Sequence, residues 1–313
     1  MSVGILFPGQ GSQTVGMGAD LFDAKDDLLG DRADEILGFS LRALCLDGPE
    51  EELTRTQHAQ PALFAISFAL WEMVVADGDL APGGAAGHSL GEYTALAAAG
   101  VFDFDTALRL VSLRGKAMAR AADREDSGMA ALIGVDLDQA REVTVARREL
   151  GGRLEVANVN APGQVVVAGG SNDIEWLLES GSGLGIRRVV PLSVAGAFHS
   201  QFMIPAQEEL TAALETIEMS DPRFPVWSNT TARRHESREI ADLLARQMVE
   251  PVLFSDSLLD MSAAGIDTFL HVGPGDVTAG LARRTVRGAA VETISGVDDI
   301  RSALDALVTM DEH

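Results

Sequence analysis

The chain has 313 residues, 46% hydrophobic and 23% charged, a balance that supports a sizeable core and excludes a mainly disordered protein. Acidic residues outnumber basic ones 47 to 24, a net charge of −23, and a field of that sign repels phosphate backbones and argues against nucleic-acid binding. One cysteine, Cys45, leaves no internal disulfide or cysteine-based metal cluster, and no run of about 18 uninterrupted apolar residues points to a membrane span.

Val3–Phe7 is a short apolar run closed by Pro8 and Gly9, which predicts a buried strand opening into a loop. No basic lead precedes it, a poor secretion signal, so the chain is expected to be cytoplasmic. After the loop 9–12 a helix is expected through Met17–Phe22, and a long apolar one from Pro61 to about Ala76. Ala85–Ser89 reads as a strand end and Leu90–Ala99 as a helix stopped by Gly100. The next helix covers Asp105–Ala122, with Asp103 or Asp105 as its cap.

Residues 128–193 have a different rhythm. Strands are expected at Met129–Val135, Arg153–Asn160, Gln164–Ala168 and Arg187–Leu192, with helices at Asp138–Leu150 and Asn172–Glu179. That βαββαβ order is the split arrangement of a ferredoxin-like unit. Helices at Gln201–Thr216, Arg238–Met248 and Asp276–Val286 then alternate with strands at Phe224–Ser228, Thr268–Val272 and Val291–Ile294. Such alternation implies a mostly parallel, hydrolase-like α/β sheet with helices on both faces. The expected organisation is a large unit of residues 1–126 and 197–313, interrupted by a small ferredoxin-like α+β unit of residues 127–196.

Gly87-His-Ser-Leu-Gly91 fits the G-x-S-x-G pattern between a predicted strand and a predicted helix. In that context the glycines permit a tight turn that holds the Ser89 hydroxyl out at the sheet edge, with the Leu90 N–H aimed where an oxyanion would form. The bland alternative is that Ser89 only caps the helix. A nucleophilic serine needs a base. His313 is terminal, His235 lies in an Arg-rich polar loop, His58 precedes the long helix, and His88 adjoins the serine and should point elsewhere. His199 and His271 remain, and spacing alone does not choose between them. On the following helix Ala107, Leu110, Val111, Arg114 and Met118 share one face. An arginine in an apolar stripe needs an anion, either an internal carboxylate or a ligand's.

Taken in order, segments 7–13 (FPGQGSQ), 60–63 (QPAL), 87–92 (GHSLGE), 114–116 (RGK), 160–164 (NAPGQ), 196–199 (GAFH) and 272–275 (VGPG) resemble malonyl-CoA:acyl carrier protein transacylases and the related acyltransferases of polyketide synthases. The likeness covers nearly the whole chain. It implies that Ser89 is the acylated nucleophile and His199 its base, with His271 structural. It also implies an oxyanion hole from the Gln10 and Leu90 N–H groups and a backbone carbonyl at Gln247 that orients the histidine. Arg114 would bind the malonyl carboxylate through its planar guanidinium, and Gln60, Asn160 and Phe198 would line the pocket. The implied partners are malonyl-CoA and an acyl carrier protein, with no metal or redox cofactor, no nucleic acid and no membrane.

Because carrier proteins of this kind and CoA are anionic, local basic groups must overcome the net field; Lys116, Arg187, Arg188, Arg283, Arg284 and Arg287 are the candidates. Relatives often carry a basic residue after the Gly-Pro-Gly segment, where this chain has Asp276. Phe198 in the GAFH segment leans toward malonyl over methylmalonyl units. Segments 57–64 and 228–233 lean toward stand-alone polyketide acyltransferases. Two competing readings are an acyl hydrolase that clears misloaded carriers, against which Arg114 argues, and a non-catalytic carrier-protein binder, against which Ser89 and His199 argue.

Overall fold

The computed structural model describes residues 2–78 and 80–311; His313 lies outside them. Strand β1 (Val3–Phe7) is buried along its whole length, as its unbroken apolar run requires of a central parallel strand. Four short helices follow, α1 (Asp26–Leu29), α2 (Asp31–Leu37), α3 (Leu41–Asp47) and α4 (Glu50–Thr54), and then the long α5 (Thr56–Asp77). Next come β2 (Pro82–Gly87), α6 (Leu90–Ala98) and α7 (Phe104–Ala122). The inserted segment holds β3 (Ser127–Ile133), α8 (Leu137–Glu149), β4 (Leu154–Ala161), β5 (Gln164–Gly170), α9 (Ser171–Ser180) and β6 (Arg188–Pro191). The chain finishes with α10 (Ile204–Leu214), α11 (Ile240–Arg246), α12 (Phe254–Ala263), β7 (Thr268–Val272), α13 (Val277–Thr285), β8 (Ala290–Ile294) and α14 (Val297–Asp311).

The strands form two sheets. One is wholly parallel in the order β2-β1-β7-β8. Alternate side chains of its strands enter opposite cores: Ile5, Phe7, Ala85 and Leu270 join α5, α6 and α7, while Leu6, Ala86 and Phe269 join α12 and α13. The other sheet is antiparallel in the order β4-β5-β3-β6, the pairing a βαββαβ unit makes. Its helices α8 and α9 cover one face, with Leu132, Val143, Val167 and Leu177 in a core of their own. Met129, Ala131 and Val166 on the other face pack toward the main core. The edge strand β4 is tied to the parallel-sheet unit by reciprocal backbone bonds, Val159 N–H to Val252 C=O at 2.8 Å and Val252 N–H to Ala157 C=O at 2.9 Å.

Several expected elements differ. Residues 17–22 form successive turns instead of a helix, with Gly16 (φ 92°) and Gly18 (φ 71°) in a left-handed conformation. Helix α5 starts at Thr56, not Pro61, so the proline lies inside it. That helix is long and apolar enough to cross a bilayer by composition, but 78% of its most apolar window is buried within the protein. Residues 224–228 make only single-residue bridges, Val226 with Ala85 and Trp227 with Arg234, because Pro225 has no N–H for a ladder. The helices expected at 201–216 and 238–248 each open with a 3-10 turn, at Gln201–Met203 and Ser237–Glu239. Helices α1 to α4, α12 and α14 were not expected.

Candidate active site

Chemistry-bearing side chains gather where β2 passes into α6. Ser89 has φ 51° and ψ −101°, a strained backbone for a residue with a Cβ. The flanking glycines are needed for close approach: a Cβ on Gly87 would lie 1.9 Å from the Gly91 carbonyl carbon, and one on Gly91 would lie 2.4 Å from the Phe7 oxygen. Asn229 clamps the turn from below. Its Oδ1 accepts the Ser89 N–H at 2.7 Å, and its Nδ2 donates to the Gly87 carbonyl at 2.8 Å. The Ser89 side chain makes no capping bond to α6, which removes the helix-cap reading.

Ser89 Oγ lies 2.8 Å from His199 Nε2. His199 Nδ1 is 2.7 Å from the Gln247 carbonyl, so its proton sits there and Nε2 is left as the acceptor for the serine hydroxyl. Burial, reinforced by the Arg114 charge, holds the His199 pKa down to about 3. His271 is elsewhere. It is buried at the end of β7, bonded to Thr278 Oγ1 at 2.5 Å and to the Gly273 carbonyl at 3.0 Å, with burial taking its pKa down to about 4. His271 is therefore excluded as the base by position.

Arg114 reaches Ser89 from α7. Gly115 makes the approach possible, since a Cβ there would lie 2.8 Å from the Thr56 carbonyl in the first turn of α5. The Arg114 side chain is 1% exposed, and no carboxylate lies within ion-pairing distance among the described residues. Its Nη1 donates to Gln60 Oε1 at 2.5 Å; its Nη2 donates to Gln247 Oε1 at 2.9 Å and to Ser89 Oγ at 3.0 Å. Tyr93 supports it from one side, its ring centroid 5.2 Å from the guanidinium carbon. Burial pushes the Tyr93 hydroxyl up to about 12, so the ring remains neutral.

A cleft of about 250 Å³ lies over these groups, lined by Gln10, Leu90, Phe198 and Arg284 from the parallel-sheet unit and by Met129, Asn160 and Val166 from the insertion. Leu90 is the first residue of α6, so its N–H has no carbonyl one turn back within the helix. Gln10 sits in the β1–α1 loop on the same cleft, its side chain tied to Thr56 Oγ1 at 3.1 Å. Asn160 borders the same cleft, and its Oδ1 is 2.7 Å from His88 Nε2, so the amide and the ring engage each other. Of the basic candidates only Arg284 borders the cleft; Lys116, Arg187, Arg188, Arg283 and Arg287 are exposed and lie outside its lining.

Three residues were missed or misjudged from sequence. His235 lies at the end of an Arg-rich loop yet is buried, with Nε2 2.6 Å from Glu92 Oε1. Glu92 is wholly buried as well, and Asn229 is the elbow clamp described above. Glu92 and Asn229 fall in segments 87–92 and 228–233 and His235 lies two residues beyond, but nothing in the pattern says that they meet.

A nucleophile elbow with a carbonyl-held histidine and a buried arginine on an α/β sheet, with an antiparallel insertion, defines an acyl-transferring enzyme of the serine type. Residues 5–309 match the acyl transferase domain family, and the chain belongs to it. Among curated relatives it is 39% identical to the malonyl CoA-acyl carrier protein transacylase of Bacillus subtilis over 97% of both chains. It is 42% identical to the polyketide biosynthesis malonyl CoA-acyl carrier protein transacylase BaeC of Bacillus velezensis, over 89% of this chain and 95% of that one. Among solved structures, the complex of a type II polyketide synthase acyl-carrier protein with its malonyl-transacylase aligns with a TM-score of 0.92 at 37% identity, over 98% of this chain and 100% of that one.

Proposed function

We propose that this protein carries a malonyl group from CoA to the phosphopantetheine thiol of an acyl carrier protein, by way of a malonyl ester on Ser89, for fatty-acid or polyketide synthesis in the cytoplasm. The observation that carries the reading is Arg114: a buried guanidinium 3.0 Å from Ser89 Oγ with only amide and hydroxyl partners. Such a cation is poised for a carboxylate brought in by the acyl group.

Ser89 Oγ attacks the thioester carbon while His199 Nε2 takes the hydroxyl proton. The Gln10 and Leu90 N–H groups receive the developing oxyanion; losing one such donor typically costs ~3 kcal/mol. The carbon–sulfur bond then breaks, and His199 returns the proton to the leaving CoA thiolate. In the second half the carrier's thiol gives its proton to His199 and attacks the malonyl ester; the ester C–O bond breaks and Ser89 Oγ takes that proton back from His199. The exchange requires no metal or redox cofactor, because each step only moves an acyl group and a proton. Phe198, 6% exposed and bordering the cleft, narrows the space for a branched acyl group.

Intact-mass measurement after mixing with malonyl-CoA tests this. One malonyl adduct is expected on the wild type and none on Ser89→Ala; no adduct on the wild type overturns the proposal. Adduct followed by rapid release as free malonate, with none passed to a carrier protein, favours the hydrolase instead.

A further inference from the structure

Behind the reacting centre lies a second polar layer that the exchange itself does not use. Glu92, on the inner face of α6, has no exposed side-chain surface. Its Oε1 faces His235 Nε2 at 2.6 Å; its Oε2 accepts from the Gln247 side-chain Nε2 at 2.6 Å and from the Asn229 N–H at 3.1 Å. His235 Nδ1 has no partner among the described residues. A proton there would be a buried donor without an acceptor, so the ring proton belongs on Nε2, directed at Glu92. Three donors thus converge on one buried carboxylate.

Gln247 is the link to the chemistry. Its Nε2 donates to Glu92 Oε2 and, at 3.0 Å, to the Ser89 carbonyl; its Oε1 accepts from Arg114 Nη2 at 2.9 Å; its backbone carbonyl holds His199. An amide can usually turn over, exchanging its oxygen and nitrogen ends. Here a carboxylate stands at one end and a guanidinium at the other, so only one orientation satisfies both.

We infer that Glu92, held by His235, is a positioning residue: through the Gln247 amide it fixes the direction of the Arg114 fork and thereby sets the preference for acyl groups that carry a carboxylate. It also supplies the negative charge that compensates buried Arg114 from one amide away. The guanidinium stays charged without being occupied by a direct carboxylate partner, which would compete with a malonyl group.

The inference rests on the malonyl reading above, and wild-type loading separates the two. The measurement is the ratio of kcat/KM for malonyl-CoA over acetyl-CoA in Ser89 acylation, with thermal unfolding followed in parallel. In Glu92→Gln the ratio is expected to fall about tenfold, mainly through a higher KM for malonyl-CoA, with acetyl loading nearly unchanged. His235→Ala loosens the same carboxylate without removing its charge. A several-fold fall in the same ratio is expected there, and this variant carries the test should Glu92→Gln not fold. An unchanged ratio in the folded variants, equal losses on both substrates, or a lower malonyl KM overturns the inference. Absence of malonyl loading by the wild type overturns the functional reading instead.

Discussion

Arg114 concentrates most of the site's meaning in one side chain. Its position on the apolar stripe of α7 is legible in the sequence, as is the need for an anion. What spacing does not reveal is that the internal partners are the two amides of Gln60 and Gln247 instead of an acid. Arg114→Ala is expected to lower malonyl loading by two orders of magnitude or more while acetyl loading survives or rises, measured by quenched-flow acylation. Equal loss on both substrates would remove the carboxylate-binding role. The choice between His199 and His271 was open on spacing alone, and geometry closes it through the 2.8 Å contact with Ser89. Because burial and the Arg114 charge hold His199 near a pKa of about 3, kcat/KM for malonyl-CoA should show no inflection from this residue between about pH 8 and about pH 5. A tenfold drop centred near the ordinary imidazole pKa would show that His199 titrates normally.

At the scale of elements, the strand–turn–helix around Ser89 was readable because its glycines, its apolar strand and its helix all agree. The structure adds the reason: Gly87 and Gly91 meet backbone atoms at distances no Cβ tolerates. Gly91→Ala is expected to destabilise the protein by about 3 kcal/mol in urea unfolding, since rigid main chain must move. A loss below about 0.5 kcal/mol would mean the turn relaxes easily. The inserted unit was equally readable, its short apolar strand runs separated by helical stretches in βαββαβ order. Helices α1 to α4, of 4 to 7 residues each, were not, since elements so short show hardly two turns of periodicity. Pro61 misled in a different way: it looked like a first-turn residue, yet the helix begins at Thr56 and runs through it. Proline's preference for helix starts is a tendency that the surrounding core overrides.

Across the whole molecule, three histidines share one electrostatic fate. His199 and His271 are buried and His88 is half-buried, and desolvation lowers each pKa from the ordinary value of 6.5. The unfolded chain takes up protons near that value while the folded one does not. Their neutral burial therefore costs nothing above about pH 6.5, and stability is lost progressively as the pH falls below it. The urea midpoint should be distinctly lower at about pH 5 than at about pH 7.5; an unchanged midpoint would show that these rings accept protons in the native state.

The polypeptide also divides its labour along its length. Ser89, Arg114, His199 and Gln247 all come from the segments on either side of the insertion, whereas Met129, Asn160 and Val166 furnish the facing wall of the cleft. Reactivity is thus written outside residues 128–192, while clearance is shared between them and Phe198. Grafting residues 128–192 from a relative that handles bulkier building blocks, while keeping the Val252 tether to β4, should alter which acyl groups fit and leave the transfer machinery intact.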